Sequence, residues 1–176
     1  MTVSLPAGVQ LRPLRPHADD RGTFTELFRG EWGAGVEPVQ WNAVSSAAGV
    51  VRGVHAHARH DDYLILYAGS ATIGLADLRP DSPTAGLAGA LEMTGSAPAA
   101  LTIPHGIAHG FLFHEPSLHI YAVSRYWDVS DELGCHWLDP ELGIPWPVRS
   151  ARISDRDAGL PPLAALRLEL AAASSF

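Results

Sequence analysis

At 176 residues with a formal charge of −7, the chain can bury one full core and carries no basic run of the kind a nucleic-acid surface needs. All 12 positive side chains are arginine, which excludes chemistry through a lysine Schiff base. The lone cysteine, Cys135, has no partner for an internal disulfide, no charged and apolar leader opens the sequence, and no stretch reaches the roughly 20 apolar residues of a membrane span. One domain over residues 1–176, working in the cytoplasm, is the expectation.

Taken in chain order, short apolar and β-branched segments punctuated by Gly and Pro predict strands over residues 9–12, 24–28, 38–47, 50–54, 63–68, 70–78, 90–93, 100–103, 110–113 and 118–124. Gly69, between two of them, marks a tight hairpin. The run Arg79-Pro80-Asp81-Ser82-Pro83-Thr84 is a loop, and the Ala-rich residues 85–100 read as a surface hairpin. Residues 128–148 lack periodicity but hold Trp137 and Trp146, so they form an ordered loop packed on the body, with Cys135 a packed thiol. Only the tail, residues 160–173, is helical: Leu163, Leu166 and Leu170 share a face behind Pro161 and Pro162, and this helix is expected to cap the barrel. The rhythm is that of an all-β sandwich or barrel.

Two histidine clusters stand out: Arg52-Gly53-Val54-His55-Ala56-His57, and Ile103-Pro104-His105-Gly106-Ile107-Ala108-His109-Gly110-Phe111. Histidine titrates near neutrality, so a neutral imidazole here can abstract a proton. Imidazoles two apart on a strand also face one side. With a carboxylate at Asp61 or Asp62 and a third imidazole at His109, they could bind Fe, Mn, Ni or Zn. Proton abstraction and metal binding therefore compete.

Six blocks occur in order: Asp20-Arg21-Gly22-Thr23-Phe24-Thr25-Glu26, Val39-Gln40-Trp41-Asn42, Val51 to His55, Asp77 to Thr84, Ile103 to Phe111, and Trp137 to Pro147. From about residue 10 to about residue 160 the chain resembles the dTDP-4-dehydrorhamnose 3,5-epimerase family of nucleotide-sugar epimerases. The resemblance implies an all-β jelly roll (cupin), a double-stranded β-helix here followed by the short C-terminal helix. It further implies a homodimer, no metal or organic cofactor, and a dTDP-linked 4-keto-6-deoxyhexose as substrate. The ketone acidifies protons on its two neighbouring carbons; a base removes one to give an enolate, and an acid returns a proton to the opposite face. By residue match the base is His55, the aspartate orienting it Asp157, and the acid Tyr121. Arg21, Phe24, Glu26, Gln40, Asn42 and Arg52 fall where the family binds nucleotide and sugar, His109 lines the sugar site, and Phe24 or Trp127 stacks on thymine. The arginines suit diphosphate oxygens because the guanidinium fork donates twice.

Two departures qualify the transfer. His57 replaces the family's usual glutamine, still at a substrate-binding position, and the family's lysine aligns with Asp62 or Asp61. A carboxylate beside an enolate repels it unless protonated or paired, so either another group, His57 or His60, supplies the positive end or the sugar is placed differently, and epimerisation is expected at one carbon, C3 or C5, rather than both. The alternatives are a metal cupin built on His55, His57, Asp61 or Asp62 and His109, a dTDP-sugar 3,4-ketoisomerase with a similar Arg-Gly-x-His-x-His start, and a sugar-nucleotide-binding protein without chemistry. The Trp137 to Pro147 block favours the epimerase.

Overall fold

The computed structural model describes residues 4–173. Along them run β1 (Gln10–Pro13), β2 (Pro16–Asp19), β3 (Gly22–Thr25), β4 (Gln40–Ser46), β5 (Val51–Ala56), β6 (Asp62–Ala68), β7 (Ser70–Asp77), β8 (Ala88–Thr94), β9 (Ala99–Ile103), β10 (Ile107–Phe113), β11 (Ser117–Val123), β12 (Leu133–Gly134), α1 (Asp155–Ala158) and α2 (Leu163–Ala173). Two five-stranded antiparallel sheets, β1-β9-β6-β11-β4 and β12-β5-β10-β7-β8, face each other as a jelly roll, and β2-β3 forms a separate hairpin.

Two predicted hairpins are corners instead. Gly69 joins β6 to β7, yet these strands lie in different sheets. Its φ of 85° and the Ser117 side chain crowding the place where a Cβ would sit explain why glycine turns the chain there. Residues 85–100 likewise divide between sheets: β8 pairs with β7, and β9 with β6 and β1. Splitting them lets Leu91 and Met93 meet Leu101 and Ile103 from opposite walls inside the sandwich, burying apolar surface that a surface hairpin would leave wet. The strand predicted at 24–28 lies at Gly22–Thr25; its partner Pro16–Asp19 is exposed throughout and carries no apolar alternation to announce it.

Period-two alternation sorts each strand between inside and outside. From β6, Leu64 and Leu66 enter the interior, while Tyr63 and Ile65 pack outward under Leu14, Val36 and Phe28. The second sheet sends Val54, Ala56, Ala108 and Leu112 outward, where Trp137, Trp146 and the Leu163, Leu166 and Leu170 face of α2 cover them. The helix thus shields a sheet face rather than closing the barrel end. Its first N–H is capped from afar, Leu163 N–H donating to Asp139 Oδ2 at 2.9 Å. The 128–148 segment packs as expected: the two indoles meet edge-on at 6.0 Å, and Trp146 Nε1–H donates to the Trp137 carbonyl at 3.0 Å. Cys135 is buried there, its thiol pushed up to about 12 by burial first and then by Asp139. Among the described residues no helix is long and apolar enough to cross a membrane.

If α2 is part of the core, Leu166→Ala costs about 2–5 kcal/mol of stability, whereas Leu168→Ala, at a residue 74% exposed, changes it by less than about 0.5 kcal/mol. Urea midpoints of the two variants check this.

Candidate active site

In a regular strand Arg52 and His55, three apart, would face opposite ways. The β5–β10 register prevents that: His55 opposes His109 and Arg52 opposes Phe111, so three steps on β5 match two on β10. The extra residue is a β-bulge at Gly53. Its φ is 92°, and a Cβ there would stand 2.9 Å from the His109 carbonyl oxygen, which leaves glycine as the residue that fits. Arg52 and His55 consequently both line one cavity of about 210 Å³ between the sheets, while Val54 turns to the outer core.

The bulge also frees a donor. Gly53 N–H donates to Asp157 Oδ2 at 3.1 Å, and Asp157 Oδ1 lies 2.9 Å from His55 Nε2. Asp157 is held by the short turn α1, whose N-cap Ser154 Oγ accepts from Asp157 N–H at 3.0 Å, a Ser-x-x-Asp cap legible in the sequence. Asp155, two residues earlier, is exposed, so the choice between the two carboxylates is made by burial. Burial alone would raise the Asp157 carboxyl, but the hydrogen bond and charge of His55 and the Gly53 N–H hold it below the ordinary carboxylate range.

Tyr121 faces the same cavity from β11, in the opposite sheet. Burial, and then the Glu132 and Asp62 carboxylates, push its phenol above 10.0, so it remains a proton donor at neutral pH. Beside it on β4, Asn42 opposes Tyr121 and Gln40 opposes Val123, on the same strand face as Val44, which lines the cavity. Gln40 Nε2–H donates to Asn42 Oδ1 at 3.0 Å, and Gln40 Oε1 accepts from Trp127 N–H at 3.0 Å. Among the described residues the buried Asn42 Nδ2 has no hydrogen-bond partner, leaving a donor for a ligand oxygen next to Tyr121. Arg52 is steadied by Ser46 Oγ at 2.9 Å and the Ser45 carbonyl at 3.3 Å.

The floor holds His57, His60, Asp62 and His109, all buried. Burial, then the neighbouring His60, lowers His57 to about 3; burial, then His57, lowers His109 to about 3. His57 is therefore neutral at pH 7, contrary to the expectation that it supplies a positive charge. His60 is committed elsewhere, its Nδ1 2.8 Å from Asp131 Oδ2, in a clamp where Asp131 also accepts from the backbone of Ala58 and Arg59. Asp61 turns away to His105, at 2.8 Å, so of these two neighbouring aspartates Asp62 is the one in the cavity. Complete burial, then the carboxylates of Glu132, Asp61 and Asp131, raise Asp62 well above its usual value.

Six residues assigned to nucleotide and sugar binding are not among those lining this cavity: Gln40 and Asn42, which sit beside it on β4, and Arg21, Phe24, Glu26 and Trp127. Arg21 is 85% exposed and pairs with Asp19, Phe24 is 64% exposed, Glu26 pairs with Arg29, and Trp127 is 48% exposed. In return the cavity includes His119, Glu132 and Arg156, which the sequence reading left out. His119 was within reach, being two residues from Tyr121 on the same strand face; Glu132 and Arg156, joined through Arg156 Nη2 and Glu132 Oε2 at 3.3 Å, sit in aperiodic segments without such a signal.

The family model described as dTDP-4-dehydrorhamnose 3,5-epimerase matches residues 4–165. The spore coat polysaccharide biosynthesis protein SpsL of Bacillus subtilis is 35% identical over 79% of this chain and 95% of its own length. A dTDP-4-dehydrorhamnose 3,5-epimerase of Sinorhizobium fredii is 34% identical over 91% of this chain and 87% of its own. Among solved structures, ChmJ, a 3'-monoepimerase from Streptomyces bikiniensis in complex with dTDP-quinovose, superposes with a TM-score of 0.86 at 29% identity, covering 97% of this chain and 91% of that one.

His119 gives a pH test. It stacks against Phe111, Phe113 and Tyr121, and burial, then Arg52, lowers it to about 4 from 6.5. The unfolded chain takes up this proton below pH 6.5 while the fold refuses it until about 4, so the stability it contributes is complete above 6.5 and drains away as pH falls through that window. His119→Phe, filling the same stack, should reduce the slope of unfolding free energy against pH there by one proton, about 1.4 kcal/mol per pH unit. Urea titrations at several pH values in chelator-containing buffer measure it.

Proposed function

The chain belongs to the dTDP-4-dehydrorhamnose 3,5-epimerase family, and from that we propose how its own residues epimerise a dTDP-4-keto-6-deoxyhexose in deoxysugar biosynthesis. It is an isomerase. The observation carrying the reading is that His55 and Tyr121 enter one cavity from opposite sheets. A sugar ring between them presents one face to the base and the other to the acid, which is what inversion of a carbon requires.

With Nε2–H of His55 donating to Asp157, the lone pair resides on Nδ1. Nδ1 takes the proton from the carbon beside the C4 ketone, the electron pair moves into the C3–C4 or C4–C5 bond and onto the ketone oxygen, and Asp157 stabilises the resulting imidazolium. The Tyr121 hydroxyl then delivers a proton to the opposite face as the ketone re-forms. We assign the reaction to one carbon, C3 or C5. What supports this is the Asp62 carboxylate in the cavity, where the family carries a lysine. Arg52 meets the diphosphate, and Gln40, Asn42, His57 and His109 surround the sugar.

Arg21, Phe24 and Glu26 fit this reading in a homodimer, where the β2-β3 hairpin of one copy, with Glu26 directly after it, reaches the cavity of the other; Trp127, its N–H on Gln40 Oε1, stands beside its own chain's site. The exposure of Phe24 and, among the described residues, the absence of strand pairing between this hairpin and either sheet support that arrangement. Residues 1–176 then form one domain. A lone buried thiol fits a reducing, cytoplasmic setting.

In deuterated water with dTDP-4-keto-6-deoxyglucose, proton NMR should show loss of the C3 or the C5 signal. His55→Ala should abolish that loss with nucleotide binding nearly unchanged, and Asp157→Asn should slow it by about 100- to 10,000-fold. Tyr121→Phe should retain exchange but give no inverted product; full epimerisation by this variant would exclude Tyr121 as the acid. For the dimer, mixing inactive His55→Ala with Phe24→Ala chains should restore activity in the hybrid, whereas a monomer in sedimentation analysis would refute it.

A further inference from the structure

Five imidazoles line the cavity and four of them are anchored: His55 bonds Asp157, His57 and His109 bond the carbonyls of Asp131 and Ile107, and His60 bonds the Asp131 carboxylate. The fifth, His119, is only 4% exposed, and among the described residues its Nδ1 is enclosed without a hydrogen-bond partner. Burying such a group unpaired is unfavourable, so its retention points to a partner that arrives with the ligand. The ring is nonetheless fixed in place, its plane within 17° of Phe113, 23° of Phe111 and 27° of Tyr121.

Strand register says which part of a ligand it meets. On β11, Val123 opposes Asp62 at the floor, Tyr121 opposes Leu64 and His119 opposes Leu66, so each second residue stands one step farther from the floor. The facing wall climbs the same way, with His55 opposite His109 and then Arg52 opposite Phe111, the ring on which His119 stacks. His119 and Arg52 therefore share the end of the cavity away from Asp62, one step beyond the pair His55 and Tyr121.

That end carries an unbalanced positive charge. Arg52 bonds neutral oxygens, Ser46 Oγ and the Ser45 carbonyl, and among the described residues no carboxylate pairs with it, whereas Arg156, the other guanidinium lining the cavity, pairs with Glu132. We propose that His119 is a further substrate-binding residue, its ring donating a hydrogen bond to the sugar-proximal phosphate of the nucleotide sugar, beside Arg52. Two residues of strand span roughly 6.6 Å, so the phosphate attached to a sugar ring at Tyr121, rather than the distal phosphate, comes level with His119. The inference rests on the nucleotide-sugar reading above and not on the enolate step. Binding then couples to protonation. The neighbours Val44, Leu66, Phe111 and Phe113 do not titrate, and the titratable groups facing the ring are Arg52 and Tyr121. Burial, then Arg52, hold His119 neutral in the free chain; a phosphate placed between it and Arg52 reverses that charge and favours the imidazolium.

The probe is dTDP-glucose, which has no ketone and whose diphosphate diester has no group titrating near pH 6. Isothermal titration calorimetry at about pH 5.5, in two buffers of different ionisation enthalpy, gives both the affinity and the protons taken up. The unsubstituted chain should bind about 10- to 100-fold more tightly than His119→Phe and take up more protons, by as much as one per site. His119→Gln, which keeps an N–H donor that cannot become a cation, should recover part of the affinity and none of the extra uptake. Both variants are first checked for a native melting transition. Absence of proton uptake by the unsubstituted chain overturns the contact whatever the variants do. Equal affinity in the unsubstituted and His119→Phe chains overturns it too, as does an affinity lost in His119→Phe with the proton count unaltered, which is the mark of a packing role. In those outcomes dTDP-glucose still binds and the epimerase reading stands; failure of the unsubstituted chain to bind dTDP-glucose overturns the nucleotide-sugar reading and the contact together.

Discussion

A single inserted residue in β5 organises the site. Without the bulge at Gly53, Arg52 and His55 would lie on opposite faces of the sheet, and the N–H that anchors Asp157 would be spent in the β5–β10 ladder. With it, one irregularity turns the base inward, keeps a guanidinium on the same wall and supplies the donor that orients the base's carboxylate. The glycine is required because its backbone lies where a side chain would strike the His109 carbonyl. Position 53 thus ties the geometry of β5 to that of β10, and through Asp157 to a turn over one hundred residues away.

The rest of the architecture isolates that point from water. Three apolar layers, one between the sheets and one on each outer face, leave the interior polar at the cavity. There the fold buries His57, His60, Asp62, His109 and His119, groups that would each be more stable in water when charged. Burial keeps His57, His109 and His119 neutral and Asp62 hard to ionise. Such a floor costs stability. Its convergent lone pairs, and on β4 the Asn42 Nδ2 donor that has no partner among the described residues, suit a ligand that carries oxygen atoms and develops charge.

The N-terminal hairpin shows the opposite economy. Its residues are exposed, it is joined to neither sheet, and its most apolar side chain, Phe24, stands in solvent. A segment of this kind lowers its free energy by meeting another surface. The homodimer proposed above would supply such a surface at the cavity mouth of a second copy.

The sequence by itself determined the all-β class, eight of the strand positions in close outline, the buried face of α2 and the pairing of two histidine clusters, because alternation and helical spacing are local consequences of which side chains avoid water. It also carried the family, through six separated blocks whose order no local rule requires. Only the tertiary structure decided that Gly69 and residues 85–100 turn corners between sheets, that Asp62 and not Asp61 enters the cavity, that Asp157 and not Asp155 meets His55, and that His57 is neutral. Each of those outcomes depends on which distant strand lies opposite and how much water it excludes, and neither quantity is written in the neighbouring residues.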